Sequence, residues 1–210
     1  MKRIFFILSL ILLIYSCKKD VAIPSVKNNT PPSPQIQSSE DYYPLKKGNW
    51  WVYDYYQMNT SSGTEQFDHR DSVYIVGDTI INGYRYAYQK NTYQNGWLYL
   101  RDSSGYMLTI GGERILFSST NFTDTLYIYN PAYPFTVYSK MIHTDTLIST
   151  PVGSFHSISR GYIWRYNNQP LPKNEYLFFG RGIGLTQYCH WYYPNCVGKI
   201  EGRLVKYHLN

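Results

Sequence analysis

Turn-forming residues recur at short intervals from Tyr42 to the end of this chain, and this spacing limits the possible folds more than any other feature. Asn82-Gly83 and Asn95-Gly96 are dipeptides typical of tight β-hairpins, and Gly111-Gly112 marks a further break. The runs between such breaks lack the apolar period of an amphipathic helix. The pattern therefore predicts an antiparallel meander of strands.

The runs between the turns are rich in aromatic residues. Aromatic residues make up 18% of the chain, with 24 tyrosines, and charged residues only 16%, a balance that favours strands over helices. In the run 50–57, Trp51, Tyr53 and Tyr55 share one face, and the other face is also aromatic. The predicted strands are 50–57, 66–76, 84–88, 97–100, 106–110, 114–117, 136–149, 155–166, 175–179, 184–191 and 196–207.

So many antiparallel strands must either close into a barrel or stack as two sheets, because a wide open sheet leaves edges that pair with other chains. We predict an all-β fold with a strongly curved, barrel-like or half-barrel antiparallel sheet. A β-sandwich is the alternative. Residues 42–210 are predicted to form this single β domain.

The N-terminus has the pattern of an export signal. Lys2 and Arg3 precede an apolar run over 4–15 that is too short to span a bilayer. The run ends in Ile14-Tyr15-Ser16-Cys17, which resembles a bacterial lipoprotein lipobox. The resemblance implies that residues 1–16 are a signal peptide and that Cys17 becomes acylated, with palmitate among the attached chains. An ordinary signal with a chance cysteine is the alternative.

The segment after Cys17 predicts a tether. Residues 17–41 combine Pro24, Pro31, Pro32 and Pro34 with polar residues and show no apolar periodicity, so we expect a lipidated, disordered spacer. Removal of residues 1–16 would lower the formal net charge from +6 to +4. The basic residues are scattered, which argues against a nucleic-acid partner.

Two cysteines remain besides Cys17. Cys189 and Cys196 flank a short polar and aromatic stretch, and in an oxidising compartment this spacing favours a disulfide across a hairpin. Two buried free thiols are the alternative. A zinc site would need four ligands, and only His190 lies nearby, so we predict neither a metal nor a cofactor.

No catalytic motif is apparent. The five histidines lack metal-ligand spacing and are expected to be surface or packing residues, whereas the acidic residues could contain a catalytic pair that only geometry could identify. These residues are His69, His143, His156, His190 and His208, with Asp68, Asp71, Asp145, Glu175 and Glu201. Trp191, Tyr192 and Tyr193 are consecutive rings before a turn, and we predict that they form an exposed aromatic tip used in recognition.

Three segments together resemble a family of uncharacterised lipoproteins common in Bacteroidetes. Residues 43–53 match its Pro-Leu, Gly-Asn and Trp-x-Tyr opening, 150–155 its Thr-Pro-x-Gly-x-Phe corner, and 182–185 its Gly-x-Gly-Leu motif. The chain departs from that family at Thr186-Gln187, where Val-Lys would be expected. The resemblance implies an all-β exported lipoprotein and transfers no catalytic residues.

These observations support three functional hypotheses for a lipoprotein anchored to the outer membrane. The first is a binding or accessory module of the cell envelope that recognises a glycan, an apolar ligand or an envelope protein, and it predicts an interior cavity or an exposed aromatic platform. The second is a structural subunit of an envelope assembly, with a flat patch and no pocket. The third, ranked last, is a hydrolase, which needs a cleft with two convergent titratable groups.

Overall fold

The computed structural model describes residues 38–93, 95–116, 122, 125–130, 134–171, 175–191 and 198–210. The predicted signal peptide, Cys17 and most of the tether lie outside this range. Within the described residues the chain forms a short 3₁₀ turn, Ser39–Asp41, and thirteen strands. None of the helical structure in these residues is long and apolar enough to cross a membrane.

The strands cover most of the described chain. In order they are β1 Trp50–Asn59, β2 Thr64–Ile81, β3 Tyr84–Asn91, β4 Trp97–Ser103, β5 Tyr106–Thr109, β6 Arg114–Leu116, β7 Thr125–Tyr129, β8 Phe135–Thr150, β9 Gly153–Tyr166, β10 Gln169–Pro170, β11 Glu175–Gly180, β12 Gly184–Trp191 and β13 Gly198–His208.

All thirteen strands belong to one antiparallel sheet. Twelve of them follow the order β6-β5-β4-β3-β2-β1-β13-β12-β11-β9-β8-β7, and β10 pairs with β9 beside this path. The first and last strands of the chain are therefore neighbours, and the sheet curves into a nearly closed barrel with β6 and β7 at its two edges. The predicted all-β, barrel-like sheet is confirmed, and the chain does not form the alternative sandwich.

Local turn chemistry explains the hairpins. Asn82 and Gly83 both have positive φ, 51° and 79°, which is the backbone geometry of a two-residue turn whose twist matches the flanking strands. The turn places Ile81 opposite Tyr84, and from there the register of β2 and β3 continues with one bulge. The hairpin predicted from Asn82-Gly83 is thus present.

Side chains that alternate along β1 divide the protein into an inside and an outside. Trp51 and Tyr53 are almost fully buried, and their cross-strand partners include Val73 and Leu204. The apolar core fills one half of the barrel, with further contributions from Ile75, Leu100, Met107, Leu116, Ile158 and Phe179. Because antiparallel partners point to the same face, the inward set can be followed from strand to strand.

Residues 38–49, here called the closing segment, cover this apolar end of the barrel. Tyr43 and Leu45 join the core, and the Tyr43 ring stacks on Trp51 with centroids 5.5 Å apart. The Asp102 carboxylate accepts hydrogen bonds from the Ser39 amide and from the Ser38 and Ser39 hydroxyls at 2.6–2.8 Å. The contacts with the barrel therefore include Ser38, four residues before the predicted domain start at 42.

Candidate functional site

The other end of the barrel holds a cavity of about 660 Å³, which we call the open-end cavity. This volume falls within the range of small-molecule sites. Ten of the described residues line it; nine of these carry polar side-chain atoms, and none of the ten is Lys or Arg. They are Tyr55, Gln57, Asp68, His69, Asp71, Asn91, Tyr93, Tyr188, His190 and Ile200.

Register brings these residues together from five strands and one loop. Tyr55 lies two residues beyond the buried Tyr53 on the inward face of β1, and it is opposite His69 on β2 and Gly202 on β13. A Cβ at Gly202 would approach Cε1 of Tyr55 to 2.7 Å, so only glycine allows the Tyr55 ring to lie there. The missing side chain of Gly202 therefore helps to position one wall of the cavity.

A β-bulge places Asp68 and His69 on the same side of β2. The pairing moves from Tyr55–His69 to Tyr56–Phe67, which leaves Asp68 as an additional residue. The Asp68 carboxylate lies 2.6 Å from Nδ1 of His69 and accepts a hydrogen bond from the Gln57 amide at 2.6 Å. These contacts hold the pKa of Asp68 below its usual value, so the carboxylate stays charged at neutral pH.

Three rings stack across one wall of the cavity. The His69 ring lies between Tyr55, with centroids 4.5 Å apart, and Tyr93, with centroids 3.7 Å apart. Oδ1 of the buried Asp71 fixes the Tyr93 segment because it accepts hydrogen bonds from the Thr92 and Tyr93 amides at 2.9 and 2.8 Å. Burial and the nearby Asp71 raise the pKa of Tyr55 to about 12, so its hydroxyl remains protonated.

A second histidine–carboxylate pair joins β11 and β12, and its histidine lines the cavity. Oε2 of Glu175, which is 4% exposed, lies 2.8 Å from Nδ1 of His190. Oε1 of Glu175 accepts a hydrogen bond from Nε1 of Trp164 at 3.1 Å. The Glu175 contact raises the pKa of His190 above its ordinary value.

The pair predicts a measurable pH dependence. Because the folded-state pKa of His190 is raised, the stabilisation from the pair is fully present below the unfolded pKa and is lost as the pH rises through the folded pKa. We expect His190→Gln to lower the melting temperature more at about pH 6 than at about pH 8. Thermal melts across this range provide the measurement. His156→Gln, at an exposed histidine paired with Asp145, serves as the control. An equal decrease in the melting temperature of His190→Gln at both pH values would contradict the expectation.

On the far side of Glu175 lies a second cavity of about 340 Å³. Its lining is dominated by aromatic rings and two carboxylates: Glu113, Tyr127, Tyr129, Val137, Ser139, Tyr162, Trp164 and Glu175. Arg160, which is 3% exposed, supports this region. It donates hydrogen bonds to Ser139 Oγ, to the Ile115 carbonyl and to Glu113, and it lies 4.6 Å from the Tyr162 ring centroid.

Most of the predicted lipidation, disulfide and aromatic-tip residues are not among those that the structure describes. Cys17, Tyr192, Tyr193 and Cys196 fall outside the described residues, so the lipidation, the complete aromatic tip and the Cys189–Cys196 disulfide stay predictions. Trp191 ends β12 and is half-buried.

Cys189 is half-buried and faces away from the cavity, because it is paired with Glu201 while its neighbour His190 is paired with Ile200. Burial raises the pKa of this thiol to about 11, so the reactive thiolate is scarce at neutral pH.

The sequence did not indicate that His69 and His190 line one cavity with Asp68, or that Glu175 is the partner of His190. All four were expected to be surface or packing residues, or members of an unidentified pair. One signal was available: Tyr55 and Gln57 continue the inward alternation of Trp51 and Tyr53, so polar inward positions on β1 indicate where the apolar core ends. The bulge at Asp68 has no comparable signal in the sequence.

No protein-family model matches the chain, and no curated protein matches it. Two solved structures are similar in fold. A Bacteroides fragilis protein provisionally described as exported, with a YmcC-like fold, has 12% identity and a TM-score of 0.46, covering 78% of this chain and 97% of its own. A Parabacteroides distasonis protein provisionally described as a lipoprotein has 13% identity and a TM-score of 0.46, covering 79% of this chain and 97% of its own.

Proposed function

We propose that this chain is a binding protein of the cell envelope and holds a saccharide in the open-end cavity. Acylated Cys17 would anchor the protein to the outer membrane. The single observation that carries the proposal is the cavity itself, with its ligand-sized volume and polar lining at one end of the barrel. The hypothesis of a structural subunit predicted a flat patch without a pocket. The cavity therefore favours the binding module.

The chemistry of the lining favours a saccharide over the other ligands considered. Hydroxyl, amide, imidazole and carboxylate groups offer both donors and acceptors, as a polyhydroxylated ligand requires. A lipid tail would cover these polar groups without offering them hydrogen bonds, which disfavours an apolar ligand here. An anionic ligand would meet Asp68 and Asp71 without a Lys or Arg among the described residues that line this cavity.

The position of the cavity is consistent with presentation to a ligand outside the membrane. The chain enters the described domain at Ser38, where the closing segment covers the apolar end of the barrel. Tyr188 and His190 lie at the opposite end, near the end of β12. A tether from Cys17 would therefore join the domain on the side away from the cavity.

Saccharide binding can be measured by saturation-transfer NMR with a panel of glucose, galactose, N-acetylglucosamine and their disaccharides. We expect at least one member to receive saturation from the protein, and Tyr188→Phe to weaken its binding about fivefold through loss of one hydroxyl hydrogen bond. Tyr176→Phe is the matched control, because Tyr176 lies on the outer face of β11 beside His143 and Phe178. Equal effects of the two substitutions would contradict binding in this cavity.

The two histidine–carboxylate pairs favour a hydrolase as the second candidate. Asp68–His69 and Glu175–His190 supply the convergent titratable groups that this hypothesis requires. The same NMR samples distinguish the candidates, because hydrolysis of a disaccharide would produce new anomeric signals over time. Binding without cleavage supports the binding module, and a panel without any binding or cleavage contradicts both.

A further inference from the structure

The second cavity has a composition suited to a positively charged organic ligand. Four of its eight lining residues are aromatic, namely Tyr127, Tyr129, Tyr162 and Trp164, and its two ionisable acids are Glu113 and Glu175. We propose that this aromatic–acid compartment binds an organic ammonium ion, either a quaternary ammonium or a protonated primary amine. The proposal is independent of which ligand occupies the open-end cavity.

Aromatic rings attract cations through the negative charge on their faces, and the attraction increases when water is excluded. Trp164 and Tyr162 belong to β9 and line the inner part of the compartment, whereas Tyr127 and Tyr129 lie on the edge strand β7 and are 40% and 51% exposed. A ligand could therefore enter beside β7 and contact rings on both strands. The volume of about 340 Å³ accommodates a small ammonium compound.

The arrangement of charges favours a cation over a neutral ligand of the same shape. Glu113 pairs with Arg160 at 3.2 Å, so these two groups neutralise each other. Glu175 has only His190 as an ionic partner among the described residues, and this contact is made by Oε2 of the buried carboxylate, whereas Oε1 accepts a hydrogen bond from the neutral Trp164 ring. An ammonium group near Glu175 would compensate that charge in a poorly hydrated site, where electrostatic attraction is strong.

The ligand's fixed positive charge makes the proposal testable with a pair of isosteric probes. Choline and its neutral isostere 3,3-dimethylbutan-1-ol have nearly the same shape and differ in charge. We expect isothermal titration calorimetry at pH 8 to show choline binding at least about tenfold more tightly than the isostere. Equal affinities, or no heat from choline, ethanolamine or tetramethylammonium at millimolar concentration, would overturn the proposal.

Two substitutions locate the binding. Glu175→Gln keeps the shape of the side chain and an oxygen for the Trp164 hydrogen bond but removes the charge, and we expect it to weaken choline binding about tenfold. Glu201→Gln is the matched control, because Glu201 is also a buried carboxylate but faces outward, paired with Lys199 and Arg203. Thermal melts verify that both variants fold. Choline binding that is unchanged in Glu175→Gln, or reduced equally in Glu201→Gln, would place the ligand elsewhere and overturn the proposal.

A saccharide titration separates this proposal from the proposed function. Choline binding without saccharide binding supports the aromatic–acid compartment and contradicts a saccharide in the open-end cavity. Saccharide binding without choline binding does the reverse. The choline titration therefore tests the compartment, which Trp164 lines, and the saccharide titration tests the open-end cavity, which Tyr188 lines.

Discussion

Trp51→Ala is expected to lower the free energy of unfolding by about 3–5 kcal/mol, the range for removal of a fully buried large aromatic side chain. Trp51 is 0% exposed, and its ring stacks on Tyr43 of the closing segment. Its Nε1 donates a hydrogen bond to the Ile183 carbonyl at 2.6 Å, in the turn between β11 and β12. The substitution would create a cavity and detach the closing segment and this turn at once.

The preceding residue provides the control. Trp50 points to the outer face of β1, where the Lys206 ammonium lies 5.5 Å from its ring centroid and His208 stacks at 6.0 Å. Such contacts of a half-buried ring contribute about 1 kcal/mol, so Trp50→Ala should destabilise the domain less than Trp51→Ala. Urea unfolding of both variants measures the difference. Similar losses for the two variants would mean that Trp51 does not anchor the core as the structure indicates.

Cys17→Ser is expected to move the protein from the membrane fraction to the soluble fraction. Two or three acyl chains on Cys17 would bury enough CH₂ groups, at about 0.8 kcal/mol each, to make attachment effectively permanent, and serine cannot form the thioether. Cell fractionation measures the distribution, and intact mass spectrometry of the wild-type protein should show an N-terminus at acylated Cys17.

Cys189→Ser is the control for the fractionation, because Cys189 lies in β12 and is not preceded by a lipobox. This variant should remain in the membrane fraction. A wild-type protein that retains Met1, or that is soluble and unmodified, would show that the lipobox resemblance is misleading. Retention of Cys17→Ser in the membrane would show that another part of the chain provides the attachment.

Hairpins with strong local signals agree closely with the sequence-based prediction. The Asn82-Gly83 turn joins β2 and β3, and the predicted strand 184–191 coincides with β12. By contrast, β7 over Thr125–Tyr129 was not predicted. It is a five-residue edge strand whose pairing depends on β8, and so tertiary context rather than local pattern defines it.

The candidate site shows the limit of sequence reasoning more clearly. His69 and His190 are far apart in the chain and meet in one cavity only because β1 and β13 pair and thereby bring β2 and β12 to the same part of the sheet. The bulge at Asp68 then turns a carboxylate toward His69. Neither event has a local signature, since long-range pairing and bulges are decided by how the whole sheet closes.

Most strands, the Asn82-Gly83 hairpin and the antiparallel all-β class follow from local sequence, because period-two alternation and turn geometry act between residues close together in the chain. By contrast, long-range packing places residues 38–49 over one end of the barrel and forms a polar cavity at the other, among the residues that the structure describes. The physical reason is that a cavity depends on which inward positions remain unfilled after distant strands pair, and on groups such as Gly202 and Glu175 whose roles arise only from their partners across the sheet.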